Sequence, residues 1–169
     1  NKAGLMAAGQ DFERGGMQLP TVVEKAGFGF FKAANVGTSS YPFLTIGNAN
    51  LLLAHGTPAQ IETFVKPEME GRFYGTMCLS EPQAGSSLAD VVTRAVPQDD
   101  GSYRVFGSKM WISAGDHDLS ENIVHLVLAR LPDAPPGPKG LSLFLAPKWL
   151  PDGQRNAAHR GFGTQPARG

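Results

Sequence analysis

The spacing of apolar residues changes partway along this chain, and the change restricts the fold to helices first and strands second. In the first part, apolar residues recur at helical spacing: Ile61, Phe64, Val65 and Met69. From Phe73 onward they form short β-rich runs separated by turn residues. We therefore predict an α+β fold in which a helical segment precedes an antiparallel β-barrel or sandwich.

Three helices are predicted in the first part. The residues TPAQ at 57–60 form a capping-box pattern with proline at the first helical position. The helix that they begin is expected to bend at Pro67 and to end at Gly71. A second helix is expected to open at Pro42, and a weaker helical pattern covers residues 22–33.

The second part contains a predicted hairpin and further strands. Residues 91–96 and 103–107 flank a DDG turn at 99–101, where glycine can take the positive φ that a tight turn needs. Apolar runs at 123–129 and 141–146 predict two more strands.

These patterns predict three regions. Residues 1–72 form a partial helical N-terminal domain, and residues 73–150 form an antiparallel β middle domain. Residues 151–169 are polar and glycine-rich, which is typical of a flexible or non-native tail. A C-terminal helical domain is not expected within these 169 residues.

Charge and cysteine content narrow the functional classes. The 15 Lys and Arg residues balance 15 Asp and Glu residues, which argues against a dedicated nucleic-acid binder. No apolar run reaches the roughly 18 residues of a membrane span. Cys78 is the single cysteine and cannot form an internal disulfide, which is typical of a reducing compartment such as the cytoplasm.

Several residues of types that often bind metals or act in catalysis are predicted to have structural roles instead. The histidines show no metal-ligand spacing, so no zinc site is predicted; they are His55, His117, His125 and His159. His55 is expected to help end a helix, and His125 to lie on the outer face of a strand. Cys78 is expected in the core, and Glu81 is expected to brace a turn rather than to act as a base. The residues DHD at 116–118 have the composition of a cation site, but a solvated loop is the preferred interpretation.

The segment MCLSEPQAGSS at residues 77–87 leaves a predicted strand and turns at Glu81-Pro82. It presents hydroxyls and backbone N–H groups around a glycine, which lets a ligand approach the backbone. An anionic or carbonyl-rich ligand would fit such a turn. Taken alone, the segment is also typical of a polar loop between strands.

The segment GSKMWIS at residues 107–113 lies about 30 residues further on, a spacing that lets a hairpin return it beside the first segment. On a strand, Trp111 and Ser113 would point to the same face. There the indole can cover an aromatic ring while the hydroxyl bonds the edge of that ring. A half-buried core tryptophan beside a surface serine is the alternative.

Together the two segments resemble the acyl-CoA dehydrogenase family. The first is similar to the family's flavin-binding CLTEPGAGSD segment and the second to its GxKxWIT segment, in the same order and at the same spacing. The residues GTPAQ at 56–60 resemble the family's GTxEQ helix start. The resemblance spans residues 40–148, and ENIVH at 121–125 is similar to the branch that includes methylmercaptopropionyl-CoA dehydrogenases.

The resemblance implies FAD as the cofactor. The implied flavin-binding residues are Met77, Cys78, Leu79, Ser80, Trp111, Ile112 and Ser113. Ser80 would hydrogen-bond the pyrimidine edge of the flavin, Trp111 would stand against the isoalloxazine, and Ser113 would reach its N5 region. Ser86 would lie near the acyl-CoA substrate.

This chain departs from the family motifs at several positions. Ser80 and Ser113 stand where the motifs have threonine, and both keep a donor hydroxyl. Gln83 replaces a glycine, Ser87 an aspartate and Ala114 an asparagine. Because of Gln83 and Ser87, the resemblance implies the acyl-side contacts less strongly than the flavin-side contacts.

The resemblance also implies an activity in fatty acid metabolism. The family oxidises an acyl-CoA thioester to the 2-enoyl-CoA by α-proton abstraction and hydride transfer to flavin. Its base is a glutamate on a C-terminal helical domain, so we expect no catalytic residue in this chain. By itself the chain is expected to be inactive and to hold FAD weakly.

The implied partners are an acyl-CoA substrate, an electron-transfer acceptor and, at full length, further copies of the protein. Three alternatives remain open. One is a flavoprotein of the same build in the DNA-damage response, which a lysine-rich downstream region would favour. The others are an acyl-CoA oxidase and a ligand-free fragment or interaction module.

Overall fold

The computed structural model describes residues 3–156, and in this part of the chain the α-helices precede the strands. The helices are α1 (Thr21–Ala34), α2 (Val36–His55), α3 (Pro58–Gln60) and α4 (Lys66–Met69), with a π turn (Ile61–Val65) between the last two. The strands are β1 (Phe73–Cys78), β2 (Arg94–Pro97), β3 (Tyr103–Phe106), β4 (Asn122–Arg130) and β5 (Leu141–Pro147). This order confirms the predicted α+β fold. None of the described helices has the length and apolar character needed to cross a membrane.

The chain divides into two compact units. One comprises residues 1–76 and 117–124, and the other comprises residues 77–116 and 125–169. The domain boundaries predicted from the sequence stay a prediction. Most of the predicted tail, residues 157–169, lies outside the described residues.

All five strands of the described residues belong to one sheet. Its order is β1-β4-β2-β3, and β5 also pairs with β4. Strands β2 and β3 are antiparallel, with Arg94 opposite Phe106. Strands β2 and β4 are parallel where Arg94 pairs with Arg130. Across residues 3–156 the sheet is open rather than closed into a barrel.

The predicted hairpin between β2 and β3 is confirmed. Gly101 has a φ of 80°, and its N–H donates to the carbonyl of Gln98 at 3.1 Å. The N–H of Gln98 donates to the carbonyl of Ser102 at 2.9 Å, and Asp100 Oδ1 accepts from the N–H of Ser102 at 2.9 Å. The DDG turn therefore closes the hairpin with its own backbone and one carboxylate.

Local capping explains where the helices begin. The predicted capping box is present, because Thr57 Oγ1 accepts from the Gln60 N–H at 3.2 Å and Gln60 Oε1 accepts from the Thr57 N–H at 2.9 Å. The predicted start of α2 at Pro42 is wrong. Asn35 caps the helix earlier by accepting from the Thr38 N–H at 2.9 Å, and Pro42 lies inside the helix. The helix therefore continues through a proline at the loss of one backbone donor.

Buried polar side chains join α2 to two strand segments of the same unit. Asn48 Nδ2 donates to the carbonyls of Thr76 at 3.2 Å and Val124 at 2.8 Å. Thr45 Oγ1 accepts from the N–H of Gly75 at 3.0 Å. The helix therefore satisfies strand backbone groups that burial would otherwise leave unpaired.

Glu68 is an acidic residue in an apolar environment. It lies in α4 beside the buried Phe64, Val65 and Met69, and it is itself fully buried. Neither of its carboxylate oxygens has a hydrogen-bond partner. Burial raises the pKa of the Glu68 carboxyl well above its ordinary value. The folded chain therefore holds this proton to a higher pH than the unfolded chain does.

Glu68→Gln is expected to raise the free energy of unfolding relative to wild type by an amount that grows with pH. The unfolded carboxyl loses its proton near pH 4.5, so the stability of the wild type falls as pH rises above that value. The slope can reach about 1.4 kcal/mol per pH unit, and glutamine removes it. Urea unfolding from pH 4 to pH 8 measures the difference. Glu13→Gln, at an exposed position, is the control, and parallel pH curves for Glu68→Gln and wild type would contradict the prediction.

Candidate functional site

Four of the implied flavin-binding residues lie at the end of β1. Met77 and Cys78 are its last two residues, and Leu79 and Ser80 follow it directly. Cys78 is fully buried, which confirms its predicted place in the core. Ser80 is half-buried. The strand therefore fixes this stretch of backbone while part of the Ser80 side chain stays accessible.

A tight turn follows Ser80. The N–H of Glu81 donates to the carbonyl of Ala84 at 2.8 Å, and the N–H of Ala84 donates back to the carbonyl of Glu81 at 3.1 Å. Ser86 lies on the exposed chain after this turn. The predicted turn is thus present, and it separates Ser86 from the end of β1.

The segment that carries Trp111 is a loop. Strand β3 ends at Phe106, so the predicted strand through Trp111 and Ser113 is wrong. Trp111 has a φ of 60° and Ala114 a φ of 58°, values that interrupt any strand. The alternation of faces along a strand therefore does not apply to Trp111 and Ser113. That their side chains share one surface with Ser80 stays a prediction.

Trp111 is largely exposed in this loop. Its side chain is 83% exposed, so the alternative of a half-buried core tryptophan is wrong. Ile112 is half-buried, and its carbonyl accepts from the N–H of Gly115 at 3.1 Å. Ser113 is exposed. The loop therefore presents an aromatic ring and a hydroxyl to its surroundings.

Backbone and side-chain hydrogen bonds hold this loop against the end of β1. The N–H of Met110 donates to the carbonyl of Ser80 at 3.0 Å. Lys109 Nζ donates to the carbonyl of Leu79 at 3.0 Å and to Glu81 Oε1 at 2.7 Å. The structure thus brings the two sequence segments together, at the residues that directly precede Trp111.

The Glu81 carboxylate accepts hydrogen bonds from three further groups. These are the N–H of Val92 at 2.9 Å, the N–H of Thr93 at 3.1 Å and Gln83 Nε2 at 2.7 Å. The side chains of Glu81 and Lys109 are 1% and 4% exposed. Glu81 therefore braces the turn as predicted, and it also joins the turn to the loop and to the chain before β2.

Burial and hydrogen bonding act in opposite directions on Glu81. Burial alone would raise the pKa of this carboxyl, but the hydrogen bonds from Lys109, Thr93 and Val92 lower it to about 2. The ionised form is thus favoured in the folded chain. This contribution to stability is present above the unfolded pKa of 4.5 and is lost as pH falls from 4.5 towards 2.

His125 is buried, so its predicted place on the outer face of a strand is wrong. Three strands pair with β4, and β4 is buried along most of its length on both faces. The His125 side chain is 1% exposed, and its Nδ1 lies 3.8 Å from Cys78 Sγ. A strand in this central position has no solvent-facing side on which a histidine can lie.

The other predicted polar positions have structural roles. His55 is the last residue of α2, as predicted. Residues 116–118 lie outside the helices and strands, and Asp116 and Asp118 are exposed, as expected of a solvated loop. The ring of His117 packs against the rings of Tyr41 and Tyr74 with centroids 5.3 and 5.5 Å apart. Asp116 forms an ion pair with Lys148. Among residues 3–156, no group of three His, Cys, Asp or Glu side chains is placed to hold a metal ion.

Two residues that organise the site were not predicted to do so. Lys109 belongs to the second motif, but no contact was predicted for its side chain. Its two acceptors are about 30 residues away along the chain. Arg130 donates to the carbonyls of Val91, Ala89 and Gly137 at 2.8, 3.0 and 2.8 Å. The signal by which Lys109 could have been found is its place in the motif, two residues before Trp111.

Comparison with known proteins identifies the family. A profile described as "Acyl-CoA dehydrogenase, middle domain" matches residues 76–168, more than half of the chain. The chain belongs to the acyl-CoA dehydrogenase family. It is 51% identical over 138 residues to a 3-methylmercaptopropionyl-CoA dehydrogenase of Ruegeria pomeroyi, a match that covers 82% of this chain and 24% of that protein. The resemblance predicted from the two motifs is confirmed.

Further relatives of this acyl-CoA dehydrogenase chain agree. A broad-specificity linear acyl-CoA dehydrogenase of Mycobacterium tuberculosis is 41% identical over 162 residues, which cover 92% of this chain and 26% of that protein. A solved probable acyl-CoA dehydrogenase of Mycobacterium abscessus is 28% identical with a TM-score of 0.71, covering 87% of this chain and 38% of that one. The chain thus spans about a quarter of the length of these curated relatives.

A glutaryl-CoA dehydrogenase of Mycobacterium smegmatis has been solved in complex with FADH2. It shares the fold, with a TM-score of 0.73 at 23% identity, and the match covers 89% of this chain and 36% of that one.

Glu81→Gln is expected to lower the free energy of unfolding by about 3–5 kcal/mol at pH 7, because it leaves the buried Lys109 ammonium without its counter-charge. The difference from wild type should shrink as pH falls from 4.5 towards 2, where wild-type Glu81 itself takes up a proton. Urea unfolding at several pH values measures both effects. The matched control, Asp116→Asn, breaks a more exposed ion pair and should cost about 1 kcal/mol or less. An equal loss in the two variants would contradict this prediction.

Proposed function

We propose that this chain is the flavin-contacting part of an FAD-dependent acyl-CoA dehydrogenase, which oxidises an acyl-CoA thioester to the 2-enoyl-CoA in fatty acid metabolism. The observation that carries the proposal is the exposed Trp111 ring, held beside the end of β1 by the hydrogen bonds of Lys109 and Met110. Family membership supports the reaction class.

The residues present fit a flavin. An isoalloxazine has a flat aromatic body and a polar edge, so it suits a wall that offers an aromatic ring together with hydrogen-bond donors. Trp111 supplies the ring, and Ser80 and Ser113 supply hydroxyls that are at least partly accessible. The relative crystallised with FADH2 shares this fold. When bound, FAD supplies the group that accepts the hydride from the substrate β-carbon.

Each residue of this wall has a proposed role. Ser80 donates to the pyrimidine edge, with the backbone of Met77, Cys78 and Leu79 alongside it. Trp111 and Ile112 cover the ring system and exclude water from it, and Ser113 bonds near N5. These assignments follow the family motifs residue by residue. The half-buried position of Ser80 and the exposure of Trp111 and Ser113 support them.

Ser86 is proposed to contact the acyl-CoA substrate. It lies on the exposed chain after the turn that Glu81 braces, where a bulky ligand can reach its hydroxyl. The neighbouring Gln83 is engaged with Glu81 Oε2 at 2.7 Å and with the Asp90 carbonyl at 3.2 Å. Ser86 is therefore better placed than Gln83 to bond a substrate.

The base of the reaction is proposed to lie outside these residues. The reaction needs a carboxylate that can take the α-proton, and Glu81 is the acidic residue next to the proposed flavin wall. Its carboxylate is buried, accepts four hydrogen bonds and has a pKa of about 2, so it is a poor base. Without a base, the chain by itself is proposed to oxidise no acyl-CoA. It is also proposed to hold FAD weakly. The whole protein is proposed to act as a homo-oligomer in the cytoplasm and to pass electrons to an electron-transfer partner.

Trp111→Ala is expected to weaken FAD binding by this chain about 2–10-fold, because an aromatic pair contributes roughly 0.5–1.5 kcal/mol beyond its buried area. Titration of FAD fluorescence with purified protein measures the dissociation constant. Trp149→Phe, at the other tryptophan, is the control and should leave the constant unchanged. Equal affinity of Trp111→Ala and wild type would exclude Trp111 from the flavin contact.

Wild-type chain purified with excess FAD is expected to lose its visible flavin spectrum on desalting and to show no acyl-CoA-dependent dye reduction. General-base catalysis typically supplies about 10²–10⁴-fold in rate, and Glu81 cannot supply it. Retained flavin together with clear turnover would show that both the cofactor contacts and the base have been misplaced.

A further inference from the structure

We propose that Lys109 and Glu81 are positioning residues for the flavin contact: their buried ion pair, here called the Lys109 bridge, sets where the Trp111 ring stands relative to Ser80. The proposal rests on the proposed function, because it concerns the wall assigned to FAD. No role for either side chain follows from the family resemblance.

The position of Trp111 is set by its backbone rather than by packing of its side chain. Its side chain is 83% exposed, so side-chain packing contributes little to its position. Its backbone has a φ of 60°, a left-handed conformation that a bulky residue keeps only where the surrounding structure imposes it. The ring position must therefore be set by the backbone bonds of the adjacent residues.

The adjacent residues are those of the bridge. Lys109 Nζ reaches the Leu79 carbonyl at 3.0 Å and Glu81 Oε1 at 2.7 Å, and the Met110 N–H reaches the Ser80 carbonyl at 3.0 Å. The acceptors lie on both sides of Ser80 and on Ser80 itself. Trp111 is thus joined to the segment around Ser80 through the two residues that precede it.

The Glu81 end of the Lys109 bridge is itself fixed by further hydrogen bonds. The N–H groups of Val92 and Thr93 donate to the two oxygens of Glu81, so the carboxylate cannot turn away from Lys109 without losing them. A buried ammonium or carboxylate without its partner strongly destabilises the fold. The paired geometry is therefore strongly favoured over any arrangement in which the two groups are apart. A rigid pair of this kind can hold two ligand-contacting segments at a fixed separation.

The test compares Lys109→Met with wild type by residue-resolved amide hydrogen exchange without flavin. We expect the Met110 amide to exchange at least tenfold faster in the variant, and the Gln98 amide of the β2–β3 hairpin to stay within twofold. Lys148→Met is the matched control, because it removes the lysine of another ion pair in the same unit. It should change neither amide. A uniform rise at Met110 and Gln98, or no rise at Met110, would overturn the proposal.

Flavin affinity gives a second readout that a purely structural role would not move in the same way. Lys109→Met should raise the FAD dissociation constant by a factor no larger than that of Trp111→Ala, about 2–10-fold. Lys109→Arg, which keeps the charge and the donors, should restore most of the affinity. If Lys109 acts through Trp111, its effect disappears in the Trp111→Ala background. Additive effects of the two substitutions would overturn the positioning role.

If Lys109→Met does not fold, Lys109→Met/Glu81→Gln, which removes both charges, is measured in the same way with the same expected results. If wild type binds no FAD at high micromolar concentrations, the proposed function is contradicted. The exchange rates at Met110 then still decide whether the bridge positions Trp111.

Discussion

The buried ion pair between Lys109 and Glu81 is the interaction on which the site depends. Two charges removed from water stabilise a fold only when each also has its remaining hydrogen bonds made. Here the carboxylate receives two backbone N–H groups and an amide in addition to the ammonium, and the ammonium gives a second bond to a carbonyl. The hydrogen-bonding partners come from three separate stretches of chain. The two charges can therefore be paired only when these stretches have come together to form the site. The low pKa of Glu81 is a consequence of these hydrogen bonds.

The two buried carboxyl groups of this chain show that surroundings, not burial, decide the state of an acid. Glu81 is surrounded by donors and stays ionised, whereas Glu68 has no partner for either oxygen and retains its proton. The helical unit therefore carries a neutral acid in its core, while the unit that holds the proposed flavin wall carries a full charge pair. The first can be replaced with a gain in stability, and the second cannot be broken without a loss.

Local patterns in the sequence predicted local structure well. The capping box at Thr57 and the hairpin turn at Gly101 depend on residues close together in the chain, and both are present. One local prediction failed, because Asn35 caps α2 before Pro42 is reached. Two further errors concern features that depend on distant residues. His125 is buried because three strands flank β4, and Trp111 leaves the strand because Leu79 and Ser80 bind the residues before it. The family motifs located the site correctly, but no local signal indicates that Glu81 and Lys109 form one pair.

The burial of Cys78 has a practical consequence. It is the single cysteine of the sequence and is fully buried at the end of β1, so its thiol is shielded from reagents in solution. The chain is therefore suited to site-specific labelling through an introduced cysteine. A cysteine introduced at an exposed serine such as Ser113 would be the one accessible thiol, and a fluorophore attached there would report on the surroundings of Trp111 without prior removal of a native residue.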